Sequence, residues 1–378
     1  MAEIGRSSIS EHNMKKIAWI LTLLASAAFA QTSPVDPAAT PETRNLLRNL
    51  RKAAAKATLF GHQDDLAYGV DWRDVPGRSD VRDVTGEYPA VFGWDLGRIE
   101  ADSPNEIDGI PFEKQRQYVK DVYARGGINT FSWHLNNPLF PEKTSWDKAD
   151  STIRHLFADP AALQRYDSWL DKIAVYFRTL TGPKGEPIPL IFRPFHEHTG
   201  SWFWWGRGHC TPEEYIRLWR HTVDYLRKEK GLHNLLIAYS TDRFTSKEDY
   251  LERYPGDDYV DIVGFDIYHR PKTPDTFVAD TRRMVETLRT IGQEKKKIWA
   301  ITETGLEKLP VANWWTEVLT PVIQDAGLAY VLVWRNGNPT HFYAPYPGQT
   351  SAEDFRRFAQ RPDVWFGKKA AAARLYNR

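Results

Sequence analysis

Cysteine is almost missing from this chain. Cys210 stands alone in 378 residues, so a disulfide within the chain and a Cys-x-x-Cys metal pair are both excluded. An excess of charge is missing as well. Fifty Lys and Arg face 49 Asp and Glu, for a formal net charge of +1. The two signs are interspersed, which argues against a nucleic-acid or anionic-membrane partner. No apolar run is long enough to span a membrane. There is no Gly-rich phosphate loop, and neither Ser240 nor Thr304 has a paired base in a nucleophile-elbow setting. Beyond residue 41 no low-complexity stretch, second core or accessory module is visible.

The front end reads as a targeting segment. Lys15-Lys16 precede the apolar run Ile17 to Leu24, and Ala28-Phe29-Ala30 stand before Gln31. A positive start, a short apolar stretch and an A-x-A site predict a secretory signal peptide over residues 1–30. Met14 is the natural start, which leaves 1–13 as an extension. No Cys follows the cleavage site, so a lipid anchor is not expected. Residues 31–41, rich in Pro, Thr, Ser and Ala, read as a linker, and 42–378 as one catalytic domain. A secreted or periplasmic protein is expected.

From Ala57 onward the pattern repeats: a short apolar run, a polar or aromatic tip, then an amphipathic helical stretch. The predicted strands are Ala57–His62, Ala90–Asp95, Ile128–His134, Pro189–Glu197, Leu235–Thr241, Asp261–Tyr268, Ile298–Glu303 and Tyr330–Trp334. Helices are predicted at 41–57, 112–125, 161–180, 212–230, 275–291, 313–326 and 352–360, with less regular intervals after the first and fifth strands. Strands alternating with helices pair in parallel, and eight of them close a (β/α)8 barrel of the α/β class. Each strand turns polar at its C-terminal tip, the end at which barrel enzymes gather their chemistry.

The sharpest of these tips is Arg193-Pro194-Phe195-His196-Glu197-His198, followed by Trp202, Trp204 and Trp205. Alternation places Arg193, Phe195 and Glu197 on one face, and His196 can turn to the same cleft once the ladder lapses. A surface Arg–Glu pair is the bland alternative, but it has no need of three tryptophans. The 15 Trp and 17 Tyr of the chain exceed what core filling asks for. The surplus suits a site for flat apolar faces such as sugar rings. Long loops at 135–160 and 335–351 add Phe140, Trp146, Phe342, Tyr343 and Tyr346. A second carboxylate, Glu303, stands at the seventh strand's tip. Two carboxylates across a barrel mouth suit glycosidic cleavage, one as acid and the other as nucleophile or base. A zinc centre of His62, His134, His196, His198 and Asp266 is the competing constellation. It leaves both glutamates idle, so no metal is expected. A non-catalytic sugar-binding barrel is the third possibility.

RPFHEHTGSWFWW around Glu197, ITETG around Glu303 and FGHQDDLAYG near the start resemble glycoside hydrolase family 26, chiefly β-mannanases. The match runs from about Leu59 to Trp334. The resemblance implies a retaining (β/α)8 enzyme with Glu197 as acid/base and Glu303 as nucleophile. His196 and Arg193 would organise the −1 sugar and the nucleophile. Tyr268 would bond the nucleophile, and Trp334 would floor the −1 ring. His134, Trp202 and Asp266 would be further sugar contacts, while Trp94 and His62 would either reach the cleft or stand in the core behind it. The wider clan carries Asn before its acid/base; His196 stands there instead, this family's own variation. The resemblance further implies action on β-mannan or manno-oligosaccharides; a monomer without a cofactor is expected. Mixed-linkage β-glucan and β-1,3-xylan are alternative substrates on the same scaffold.

Overall fold

Along Leu235–Thr241 the side chains divide by parity. Leu236 and Ala238 join an inner apolar cluster, while Leu235, Ile237 and Tyr239 join an outer one. That two-residue period marks a strand apolar on both faces, covered by helices outside and by other strands within. The computed structural model, which describes residues 33–270 and 274–378, contains eight barrel strands. They are β1 (Thr58–Gln63), β2 (Val91–Asp95), β3 (Ile128–Ser132), β4 (Leu190–Arg193), β5 (Leu235–Thr241), β6 (Ile262–His269), β7 (Ile298–Leu306) and β8 (Tyr330–Val333). Each pairs in parallel with the next, and β8 returns to β1 from Leu59↔Tyr330 to His62↔Val333. The sheet is a closed (β/α)8 barrel. The expected signal peptide, residues 1–30, lies outside the described residues.

The helices after β2, β3, β4 and β6 are long: Phe112–Ala124, Pro160–Arg178, Pro212–Asp224 and Pro274–Lys295. Those after β1 and β5 are short, Asp80–Thr85 and Lys247–Leu251, where the sequence rhythm weakens. The helix expected at 313–326 is broken into a π turn, Trp315–Leu319, and one α turn, Thr320–Ile323. Pro321 explains the break, since it has no N–H to give to the carbonyl four residues back.

The barrel's lower end is plugged by Pro41–Ala54, capped by the Thr40 hydroxyl. Its Leu46, Leu47 and Leu50 pack with Leu59, Ile128, Ile191 and Leu236 from the strands. The described part of the expected linker is fastened down too. Val35 N donates to Asp261 Oδ1 at 2.8 Å, Asp36 pairs with His233 Nδ1 at 2.7 Å, and Thr40 N donates to the His233 carbonyl at 2.8 Å. Residues 34–41 therefore belong to the barrel. Their Pro- and Ala-rich composition gave no sign of these long-range anchors.

At the upper end β7 carries a bulge. Its register slips by one residue against both neighbours, between Phe265 and Asp266 on β6 and between Val331 and Val333 on β8. The extra residue lets two consecutive side chains, Thr302 and Glu303, both reach inward partners. Gly264 makes room for this, because a Cβ there would come within 2.7 Å of the Thr302 methyl.

Candidate active site

Strand β4 ends at Arg193, four residues before the expected end. The chain then turns through Phe195 at φ 48° and Glu197 at φ 54°, left-handed conformations that branched or bulky side chains seldom adopt. The turn breaks the expected alternation. Phe195 swings outward into the core against Trp205, Tyr215 and Trp219. The His196 ring instead meets the His134 ring edge-on at 4.6 Å.

Arg193 is 4 % exposed and ties the mouth together. Nη1 donates to Asp266 Oδ2 at 2.7 Å and to Ser240 Oγ at 3.2 Å, and Nη2 donates to Glu303 Oε1. Tyr268 Oη donates to Glu303 Oε2 at 2.7 Å. Glu303 thus has a cation on one oxygen and a phenol on the other, the setting of an ionised carboxylate. Among the described residues no ion pair is seen to Glu197. Its Oε2 accepts one bond, from Trp202 Nε1 at 2.7 Å. Burial pushes its pKa well above the usual carboxylate value, and the charges of Asp266, Glu303 and Asp242 push the same way. Asp266, pushed up to about 8 by burial against the pull of Arg193 and Thr302, completes the group. One oxygen from each of Glu197, Asp266 and Glu303 lies within 4.8 Å of the other two. One guanidinium cannot offset three carboxylates at this spacing, so burial and mutual repulsion raise Glu197 and Asp266 above the ordinary carboxylate value, and Glu197 is where negative charge is least supported by hydrogen bonds.

Those three carboxylates are the one set among the described residues close enough to share a metal ion. Arg193 already places a positive charge between two of them. The histidines of the competing zinc centre do not assemble. His62 pairs with Asp65 and His134 with Asp95, each at 2.7 Å, while His198 lies against Tyr215 and Tyr239.

His134 continues the cleft wall at the tip of β3. Burial opposes its charge, but Asp95 outweighs burial and holds the imidazole above its ordinary pKa. His196 is pushed well below by burial, with Arg193 and His134 adding to the effect, so it is a neutral ring. Trp146 stacks on His134 at 5.3 Å and Trp334 meets it at 6.4 Å. Trp334 is half-buried, as are Tyr268 and Trp202, so all three present a ring edge or face to solvent. Tyr343 reaches Tyr268 at 5.5 Å.

Arg193, His196, Glu197, Trp202, Asp266, Tyr268, Glu303, His134 and Trp334 are therefore brought around one cleft. Trp94 is not. It is fully buried, stacks on Tyr118 of helix Phe112–Ala124 and donates to Asn129 Oδ1. Alternation in β2 turns Trp94 to the helices and Asp95 to the mouth. Asp95, Ser240 and Thr302 are the contributors that the sequence reading did not select. The parity of Val91–Asp95, with Phe92 and Trp94 both outward, was the signal for Asp95. Trp204 and Trp205 are fully buried and donate to the carbonyls of Leu135 and His196, so both are core residues.

A closed barrel with two carboxylates in unlike surroundings at the tips of β4 and β7, ringed by aromatic side chains, defines a glycoside hydrolase. Residues 35–310 match glycosyl hydrolase family 26, and the chain belongs to that family. It is 32 % identical over 350 residues to a mannan endo-1,4-beta-mannosidase of Bifidobacterium adolescentis, across 86 % of this chain and 34 % of that protein. A mannan endo-1,4-beta-mannosidase of Bacillus subtilis is 31 % identical over 267 residues, 66 % of this chain and 71 % of that one. Among solved structures, a family 26 beta-mannanase from Bacteroides ovatus superposes with a TM-score of 0.84 at 44 % identity, over 87 % of this chain and 96 % of that chain. The chain thus spans about a third of the Bifidobacterium relative and nearly all of the Bacteroides structure.

Proposed function

We propose that this protein is a retaining endo-β-1,4-mannanase in which Glu303 is the nucleophile and Glu197 the acid/base. The observation that carries the reading is the contrast between two carboxylates whose oxygens lie within 4.8 Å. One is held between Arg193 and Tyr268; the other accepts from the Trp202 indole and is pushed toward its protonated form. Glu303 attacks C1 while the Glu197 proton passes to the departing glycosidic oxygen. Glu197, now a carboxylate, takes a proton from the water that releases the sugar from Glu303. A gap of about 5–5.5 Å between carboxyl groups suits this double displacement; single displacement needs about 6.5–9.5 Å to seat a water. Mannanase relatives covering most of this chain support β-mannan as the substrate. His134, Trp334 and Trp202 are the side chains that would meet the sugar, with Asp266 anchoring Arg193 and the neutral His196 ring lying edge-on to His134. The leader-like residues 1–30 support a secreted or periplasmic location.

Hydrolysis of galactomannan, glucomannan, mixed-linkage β-glucan and β-1,3-xylan, assayed in parallel, tests the substrate. Mannan is expected to be cut, with glucomannan a weaker substrate. Strong activity on the glucan or xylan with none on any mannan overturns the reading.

Trp202→Phe tests the acid. The indole bond favours the charged form of Glu197, so removing it raises the Glu197 pKa further. A general acid works below its pKa, so the alkaline limb of kcat/KM against pH should move to higher pH. A limb that stays fixed or moves down takes Trp202 off the acid. Trp334→Ala should lower kcat/KM on mannotetraose about 100-fold by losing the floor that orients the sugar. The thermal midpoint should barely move, because the ring is half-buried outside the barrel core. Near-normal turnover with a collapsed midpoint removes Trp334 from the site.

A further inference from the structure

The turn that presents Glu197 is clamped from behind. Three consecutive carbonyls each accept a bond at 2.9 Å: Phe195 O from Tyr215 Oη, His196 O from Trp205 Nε1, and Glu197 O from Gly200 N. The Glu197 N–H is fixed as well, donating to the Ser240 carbonyl at 3.1 Å. Phe195 and Glu197 both lie at left-handed φ, and side-chain-bearing residues stay there only where their surroundings over-determine the backbone. Gly200 and Ser240 contribute main-chain groups that any residue has. Tyr215 and Trp205 contribute side-chain donors, and both are fully buried. Tyr215 comes from helix Pro212–Asp224. Trp205 stacks on Phe203 at 4.4 Å, and Phe203 in turn meets the His196 ring at 5.2 Å. Neither side chain reaches the cleft, so neither touches a sugar.

We propose that Tyr215 and Trp205 are positioning residues for the acid/base: their hydrogen bonds hold the Phe195–Glu197 turn in the one conformation that aims the Glu197 carboxyl at the glycosidic oxygen. The proposal rests on Glu197 being the acid/base, and it assigns to a buried phenol and indole a part in proton transfer. Loss of the Tyr215 hydroxyl frees the Phe195 carbonyl, lets the turn relax toward ordinary φ and misaims the acid, leaving Glu303 in place.

The test compares substrates that need a proton with one that does not, in Tyr215→Phe. On mannotetraose, kcat/KM should fall about 10- to 100-fold, part of the 10²–10⁴ that a positioned proton donor supplies. On 2,4-dinitrophenyl β-mannobioside the leaving group departs as a stable anion, so kcat/KM should stay within about twofold of wild type. Its kcat should fall, because release from Glu303 still needs Glu197 as base. Azide should restore that kcat: its nitrogen bonds to C1, the C1–O bond to Glu303 breaks, and no proton moves. Tyr239→Phe is the control, since Tyr239 is an equally buried tyrosine beside His198 whose hydroxyl donates to the Tyr250 carbonyl. It should lower neither substrate selectively. Unchanged mannotetraose hydrolysis in Tyr215→Phe overturns the proposal, and so does an equal loss on both substrates. Glu197→Ala is run alongside. If it shows neither the leaving-group split nor azide rescue, the acid/base reading itself fails; if it shows both and Tyr215→Phe shows neither, only the clamp fails.

Discussion

Glu303→Ala is expected to abolish turnover of every substrate, whatever its leaving group. The loss should be about 10⁵-fold or more, the scale seen when a covalent mechanism loses its nucleophile. Asp266 is the other carboxylate of the cluster, but it is fully buried, and burial pushes it up to about 8, toward its protonated and non-nucleophilic form. Glu197 is the proton donor of this scheme and is held by Trp202 on the cleft wall. The same assignment fixes the stereochemistry. With one oxygen of Glu197 within 4.8 Å of one oxygen of Glu303, the pair suits double displacement, in which two successive inversions at C1 return the β-anomer as the first-formed product. Proton NMR of freshly released mannobiose reads this directly, before mutarotation mixes the anomers. An α-anomer appearing first, or Glu303→Ala turning over an activated substrate at wild-type rate, takes the nucleophile's role from Glu303.

The two glutamates were legible because each interrupts an apolar strand. Ile191-Phe192 runs into Arg193 and His196-Glu197, and Ile301 into Thr302-Glu303, where a barrel strand surfaces. The barrel was legible for the same reason, repeated eight times at strand tips. What escaped is set by pairing between strands or by unusual φ, neither of which a local pattern records. The β7 bulge depends on how β6 and β8 register against it, and it decides that Thr302 faces Asp266. The left-handed Phe195 sends that ring outward although strict alternation places it beside Arg193 and Glu197. Trp94 shows the opposite error. The alternation in β2 was present and assigns the mouth to Asp95, but the aromatic residue drew the functional reading. The docking of residues 34–41 depends on Asp261 and His233, about 200 positions away in the chain, where composition is silent.

Arg193→Met should separate the fold from the chemistry at the centre of the site. Arg193 is the buried cation between Asp266 and Glu303, and removing one partner of a buried ion pair costs about 3–5 kcal/mol because the remaining charge is uncompensated. A fall in the thermal midpoint of roughly 6–20 °C follows from about 2–4 °C per kcal/mol for a chain of this size. Turnover should fall by about 10³-fold, since Glu303 loses the guanidinium that bonds and aims it. Adding Asp266→Asn to Arg193→Met tests which effect is which. The amide keeps the shape of Asp266 and can still meet Thr302, but it neither strands a charge nor has to take up a proton in the buried site, so much of the lost stability should return. Turnover should not, because Glu303 still lacks its partner. Arg193→Lys sharpens the point: one ammonium cannot bond both carboxylates in the forked geometry of Nη1 and Nη2. It should hold the midpoint better than Met while still losing about 100-fold in kcat. If the double variant regains activity together with stability, Arg193 serves the fold alone, and Tyr268 suffices to position Glu303.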